Sequence, residues 1–339
     1  MNIKSLLIGS AAAMAATTGA QAADAIFVPE PEPMEYVRVC DVYGAGFFYI
    51  PGTETCLKIG GYVRYQIDWD EEDDGWRKLA RGTLTVDARS ETEFGTLGGF
   101  IELRADTQSG INGIFNDAGD PDNFVRLQQG IISLGGLAMG LSDTLYDAGL
   151  SGEFDSGGGD RAHFIRYTFD AANGVFVTVA LEEADYNEDY TPNVVGNLGV
   201  AQAWGSVNLW GAYDATAEEW AAKAIAKINA TEQISLELLG TYESDDNFYS
   251  VGHPDSVGGY EWSAGGYLKF AATPRLSVGA GAQYFADNHF SGADDWAAGA
   301  VIDYALVENF NTKLAVNYYD GDSADDGHFG GFLRFDRNF

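Results

Sequence analysis

From Lys58 onward the sequence alternates between two faces, and one of them is charged. Segment 58–68 sets Lys58, Gly60, Tyr62, Arg64 and Gln66 against Ile59, Gly61, Val63, Tyr65 and Ile67. In 79–89, Arg81, Thr83, Thr85, Asp87 and Arg89 oppose Gly82, Leu84, Val86 and Ala88. In 96–107, Glu102, Arg104 and Asp106 oppose Ile101, Leu103 and Ala105. A period of two is the mark of a β-strand. Sixteen such segments fill the chain, at 58–68, 79–89, 96–107, 124–134, 137–144, 161–169, 174–184, 196–204, 206–214, 218–229, 232–243, 259–271, 275–286, 294–304, 310–319 and 328–339.

Faces this charged cannot build a dry core, because a buried charge is very costly unless paired. Enclosing water solves the problem. The apolar face must then meet lipid, where only a closed barrel satisfies every strand's backbone groups. Most segments are within reach of the roughly 9–11 residues that a tilted membrane strand needs. The expected fold is all-β: a 16-stranded antiparallel transmembrane β-barrel over 58–339. No segment after the first twenty-odd residues is apolar for the ~18 residues of a helical span.

The connections alternate in length. Gly135-Gly136, 170–173, Gly205, 229–231 and Thr273-Pro274 are short. The stretches 69–78, 108–123, 145–160, 185–195, 244–258, 287–293 and 320–327 are long, and the one around Thr216 is a short exception on the long side. Acid collects on the long side, as in Asp70 to Asp74, Glu188-Asp189, Asp245-Asp246 and Asp325-Asp326. Tight turns at one end and long loops at the other belong to an up-and-down membrane barrel. Trp69, Trp76, Trp204, Trp210, Trp220, Trp262, Trp296, Tyr304, Phe310, Phe335 and Phe339 fall near strand ends, where aromatic girdles are expected.

Lys and Arg number 19 against 51 Asp and Glu, a net charge of −32. That balance excludes nucleic acid as a partner, which requires a basic footprint. Lys4, an apolar stretch from Leu6 to Ala16 and the sequence Ala20-Gln21-Ala22 read as a signal peptide over 1–22. Residues 23–57 then form an extended segment with Pro29, Pro31 and Pro33, closed by Cys40 and Cys56. An exported pair of cysteines is expected to form a disulfide.

The stretch CDVYGAGFFYIPGTETCLKIGGYVR from Cys40 to Arg64, with Ala203-Trp204-Gly205-Ser206 and the ending Leu333-Arg334-Phe335 to Phe339, resembles the alphaproteobacterial porins of the Brucella and rhizobial type. The resemblance covers nearly the whole chain. It implies a homotrimer in the outer membrane of a Gram-negative bacterium, passing small hydrophilic solutes and ions by diffusion. It also implies a third long loop folded into the barrel. That loop falls at 140–160, with Asp143, Asp147, Glu153, Asp155 and Asp160 as candidate constriction acids. Lys58, Arg64, Arg81, Arg89, Arg104, Arg126, Arg166, Lys313 and Arg334 are the candidate basic residues of the pore wall. Acid on the loop facing base on the wall sets a field across the passage, and arranged charge is how channels select ions.

The terminal Phe339, sharing a parity with Leu333 and Phe335, is the expected signal to the barrel-assembly machinery, although Arg337 stands at a position that is usually apolar. Outer-membrane lipid and lipopolysaccharide are the expected surroundings. No cofactor is implied. The catalytic signatures G-x-S-x-G and P-loop are absent. His163, His253, His289 and His328 show no zinc spacing. Asp320, Asp322, Asp325 and Asp326 lack the full pattern of a calcium loop. Two other readings compete: a barrel-embedded hydrolase, for which His163 has the outward parity but no Ser beside it on its strand, and a structural or adhesive surface protein working through its acidic loops.

Overall fold

The computed structural model describes residues 38–72, 75–109, 125–184 and 191–339. The segment read as a signal peptide, the Pro29–Pro33 stretch, Asp73-Asp74, Glu188-Asp189 and most of 108–123 lie outside the described residues.

Each expected strand segment has a strand in the structure. After the two-residue β1 (Phe48–Tyr49) come β2 (Cys56–Asp70), β3 (Gly75–Thr92), β4 (Gly95–Ser109), β5 (Val125–Leu134), β6 (Leu137–Asp143), β7 (Arg161–Asp170), β8 (Val175–Ala184) and β9 (Asn193–Gln202). The second half holds β10 (Gly205–Asp214), β11 (Glu219–Asn229), β12 (Ile234–Glu243), β13 (Tyr260–Thr273), β14 (Leu276–Asn288), β15 (Asp295–Val307), β16 (Phe310–Gly321) and β17 (His328–Asn338). From β2 onward every strand pairs antiparallel with its sequence neighbour. The ring closes where β17 pairs with β2, Phe335 opposite Tyr65 and Asp336 opposite Arg64. Phe339 completes the seam by exchanging backbone hydrogen bonds with Gly61, both at 3.1 Å.

The alternation sorts as the sequence implies. On β2 the outward Ile59 and Val63 are 52% and 56% exposed, whereas the inward Gln66 is 8% exposed. The outward face is the one that lipid covers. Two sequence readings are corrected. The eighth segment, expected at 196–204, ends at Gln202, and Ala203-Trp204 make the turn. The reason is Gly205: its φ of +140° and the 1.9 Å between an added Cβ and the Lys227 carbonyl oxygen fix it as the first residue of the next strand. Trp210, grouped with the girdle aromatics, instead packs inward against two buried clusters.

The inner face is not polar throughout. Ile225, Leu239, Tyr267, Phe285 and Ala297, from five neighbouring strands, form a buried cluster with Leu150, Phe154 and Val251 from two long loops. Phe154 fits because the wall lacks side chains beneath it: a Cβ on Gly281 or Gly299 would stand 2.7 or 2.9 Å from its ring. The dry core of this barrel is therefore the layer between its inner wall and the loops laid upon it.

At the short-turn end, Cys40 and Cys56 are disulfide-bonded. Both are buried with Phe47. Lys58 Nζ lies 5.8 Å from the Phe47 ring, and the Arg89 guanidinium lies 5.3 Å from it.

Candidate functional site

The connection from Thr144 to Asp160 runs across the inward faces of strands far from its own ends. It leaves β6 with the Thr144 hydroxyl on Glu182 of β8, while the Leu145 N–H donates to the same carboxylate at 2.8 Å. Next it reaches Lys223 of β11. The ammonium donates to the carbonyl oxygens of Tyr146, of Ala148 at 2.8 Å and of Gly157 at 2.7 Å. Lys223 is 3% exposed, with the Tyr146 ring 4.0 Å from Nζ. Burying an ammonium is tolerable only when its donors are satisfied, and here both limbs of one loop supply the acceptors.

The tip meets β12, β14, β16 and β17. Glu237 accepts from the Ser151 N–H at 2.6 Å and the Ser151 hydroxyl at 2.7 Å. Gln283 accepts from the Ser156 N–H at 2.9 Å and donates back to its carbonyl at 3.0 Å. Asn317 donates to the Glu153 carbonyl at 2.7 Å. The Glu153 carboxylate itself takes Lys313 Nζ at 2.7 Å and Arg334 Nη1 at 3.3 Å.

The basic residues fall into groups. Lys313 lies opposite Arg334 in the ladder, Arg64 opposite Arg81, and Arg104 opposite Arg126, so strands β16, β17, β2, β3, β4 and β5 carry one continuous basic wall. Its cations are held by neighbouring acids: Arg64 on Asp336 through two bonds of 2.7 and 3.0 Å, Arg81 on Asp106 through two of 2.7 and 2.9 Å, and Arg104 on Asp106 at 3.1 Å. Lys58 and Arg89 stand apart, at the short-turn end beside the disulfide. Arg166 is on β7, 4.3 Å over the Phe164 ring.

The five acids also separate. Asp143 is the last residue of β6. Glu153 is bound to the basic wall. Asp155 turns into its own loop, where its carboxylate accepts the Leu150 N–H at 2.6 Å. Burial pushes its pKa up to about 6, helped by Glu237 and Glu153 and opposed by that N–H. Burial likewise raises the Asp147 carboxyl, with Asp143 and Asp160 adding to it and Lys223 opposing. Asp160 accepts from the Arg161 N–H at 2.7 Å and is exposed.

The sequence reading had no site role for Lys223, Glu182, Glu237, Gln283 or Asn317, the side chains that fasten the loop. Their one signal was inward parity, which they share with every residue on that face.

A closed sixteen-stranded barrel with a charged inner wall is a frame for a channel. Residues 24–333 match the family model described as the porin subfamily. The chain belongs to this subfamily. Porin Omp2b of Brucella suis biovar 1 (strain 1330) is 39% identical, with 100% of both chains covered, as is that of Brucella abortus (strain 2308). Solved structures share the fold. A mutant of the Rh. blastica porin aligns with TM-score 0.60 at 17% identity, covering 84% of this chain and 100% of that one. OmpF of Salmonella typhi, in complex with daunomycin, aligns with TM-score 0.61 at 12% identity, covering 84% and 98%. The porin is thus an outer-membrane channel for passive diffusion rather than an enzyme.

Proposed function

We propose that segment 140–160, the end of β6 with the loop that follows it, is the constriction of this porin, and that charge on the segment and on the facing wall selects among the small hydrophilic solutes and ions that diffuse through. The observation that carries this reading is Glu153, whose carboxylate is held between Lys313 and Arg334 at the edge of the basic wall. Asp143, Asp147, Glu153, Asp155 and Asp160 form the acidic side. Arg64, Arg81, Arg104, Arg126, Lys313 and Arg334 form the basic side, with Arg166 on a separate strand and Lys58 and Arg89 nearer the short-turn mouth.

The acidic side decides the sign of the selectivity. Several wall cations are already neutralised by Asp336 and Asp106. Charges within about 8 Å of a passing ion act strongly at physiological salt, and those at distant loop tips do not. The channel is weakly cation-preferring, and the preference fades as salt rises. Purified protein in a planar bilayer under a salt gradient tests this through its reversal potential. A cation-directed potential that shrinks with ionic strength supports the reading. An anion-directed potential opposes it.

The chain assembles as a homotrimer in this reading, as its fold neighbour OmpT of Vibrio cholerae is described in trimer form. Residues 1–22 are the signal peptide removed on export, and 23–57 are the extended segment before the barrel. Phe339 engages the assembly machinery, and the acidic loops meet lipopolysaccharide through divalent cations.

A further inference from the structure

Where the barrel closes, the long-loop end of the seam gathers chemistry that the channel does not use. The end of β2 and the start of β17 are tied there: the Glu71 N–H donates to the Phe329 carbonyl at 2.9 Å, and the Phe329 N–H to the Glu71 carboxylate at 3.0 Å. This brings Asp70 and Glu72 to His328. One ligand-capable atom of each lies within 4.8 Å of the other two.

His328 is 6% exposed, and its Nδ1 has no hydrogen-bond partner among the described residues. The carboxylates around the ring stand off: Glu72 is 3.7 Å from Nδ1, Asp70 is 3.9 Å from Nε2, and Asp255 is 3.7 Å from Nε2. These separations are too long for hydrogen bonds, which end near 3.2 Å. The Glu72–Nδ1 separation suits two donors that share one ion, and Asp70, which stands on the Nε2 side of the ring, is the third of a group whose ligand atoms all lie within 4.8 Å of one another. Zinc sits about 2.0–2.2 Å from nitrogen and carboxylate oxygen, which puts two tetrahedral ligands roughly 3.4 Å apart. Glu72, with a 62% exposed side chain, is free to close the remaining gap.

We propose that Asp70, Glu72 and His328 bind a divalent transition-metal ion of the zinc class at the outer end of the barrel seam. The unpartnered Nδ1 is the coordinating atom. Imidazole beside carboxylates suits zinc, copper or nickel, whereas magnesium and calcium take oxygen donors. Metal-bound histidines usually give their other ring N–H to a carboxylate, and the Asp255 carboxylate, 3.7 Å from Nε2, is near enough to take that proton once the ring is drawn onto the ion. Asp255 is placed by its own backbone, whose N–H donates to His253 Nδ1 at 3.4 Å, while His253 Nε2 is 3.2 Å from the Trp296 carbonyl oxygen. The ion joins the first barrel strand to the last and to the 244–259 loop, stapling the outer end of the seam.

The test is titration of untagged, folded, detergent-solubilised protein with zinc chloride, and separately with cobalt chloride to read ligand-field absorption. One tight zinc equivalent is expected, undiminished by millimolar calcium. His328→Ala should abolish it, exposed-site Glu72→Gln should weaken it, and Asp255→Asn should weaken it about 10–100-fold, as loss of an orienting partner does. Because Glu72 is exposed, its variant folds even if that of His328 does not. Zinc binding that is absent, that calcium displaces, or that is unchanged in Glu72→Gln and Asp255→Asn would overturn the proposal.

Discussion

Lys223 donates to the carbonyl oxygen of Gly157 at 2.7 Å, across 66 residues of sequence. The same ammonium holds the carbonyls of Tyr146 and Ala148, so a single wall side chain clasps both limbs of the inner segment. Replacing it by Met keeps the stem and removes the donors. Each hydrogen bond to a charged group contributes about 1.5–3 kcal/mol, and the loss falls on the loop rather than on the ladder. Lys223→Met should leave a folded barrel with faster amide exchange over 144–160 and noisier, larger single-channel currents. Unchanged exchange there would mean that Gln283, Glu237 and Asn317 suffice.

Glu153 offers a second handle. Its carboxylate is shared by Lys313 and Arg334. Glu153→Gln removes one negative charge and releases two cations, whereas Asp160→Asn removes a charge at an exposed position. The reversal potential should therefore move toward anions further in Glu153→Gln than in Asp160→Asn. Equal shifts would indicate that the pairing does not matter to permeating ions.

pH acts through Asp155. With its pKa raised to about 6 by burial, against an ordinary 3.8, the folded loop holds a proton that an unfolded loop releases between those values. Loop stability from this group is therefore greatest below the ordinary carboxylate range and declines as pH rises through about 6. Over the same window the carboxyl gains its charge. Cation preference should fall as pH is lowered from 7 to 5, and the step should be missing in Asp155→Asn, measured as reversal potential at constant ionic strength.

The Cys40–Cys56 disulfide closes a short loop against Phe47, and ties it to the first residue of β2. Cross-links of this loop length contribute about 3 kcal/mol. The double variant Cys40→Ser/Cys56→Ser should open the 40–56 segment to protease while the barrel keeps its thermal unfolding midpoint. A large drop in the barrel's own midpoint would show that the two are coupled.

The strands were legible because inward and outward residues differ in kind: Arg64 beside Val63, Arg81 beside Gly82. A period of two survives without any alignment. Strand ends were less legible where backbone geometry decided them, as at Gly205. The loop's anchors were hidden because Lys223 and Gln283 look like any other inward polar residue until the chain folds back onto them. The seam cluster was hidden by distance: Asp70 and Glu72 meet His328 only because the last strand pairs with the first, and no local spacing records that. The inner apolar patch around Phe285 and Tyr267 was hidden too, since an inward aromatic on one strand gains its meaning from Phe154 on another.

The central claim, that segment 140–160 sets ion selection, is tested most directly by neutralising Asp143→Asn, Asp147→Asn, Glu153→Gln and Asp155→Asn together and measuring the reversal potential across a planar bilayer. With the acidic side removed and the basic wall of Arg64, Arg81, Arg104, Lys313 and Arg334 intact, the potential should move toward anions, most strongly at low salt where screening is weakest. A quadruple variant that forms open channels with the same selectivity as the parent would contradict the account, and the segment would not line the constriction.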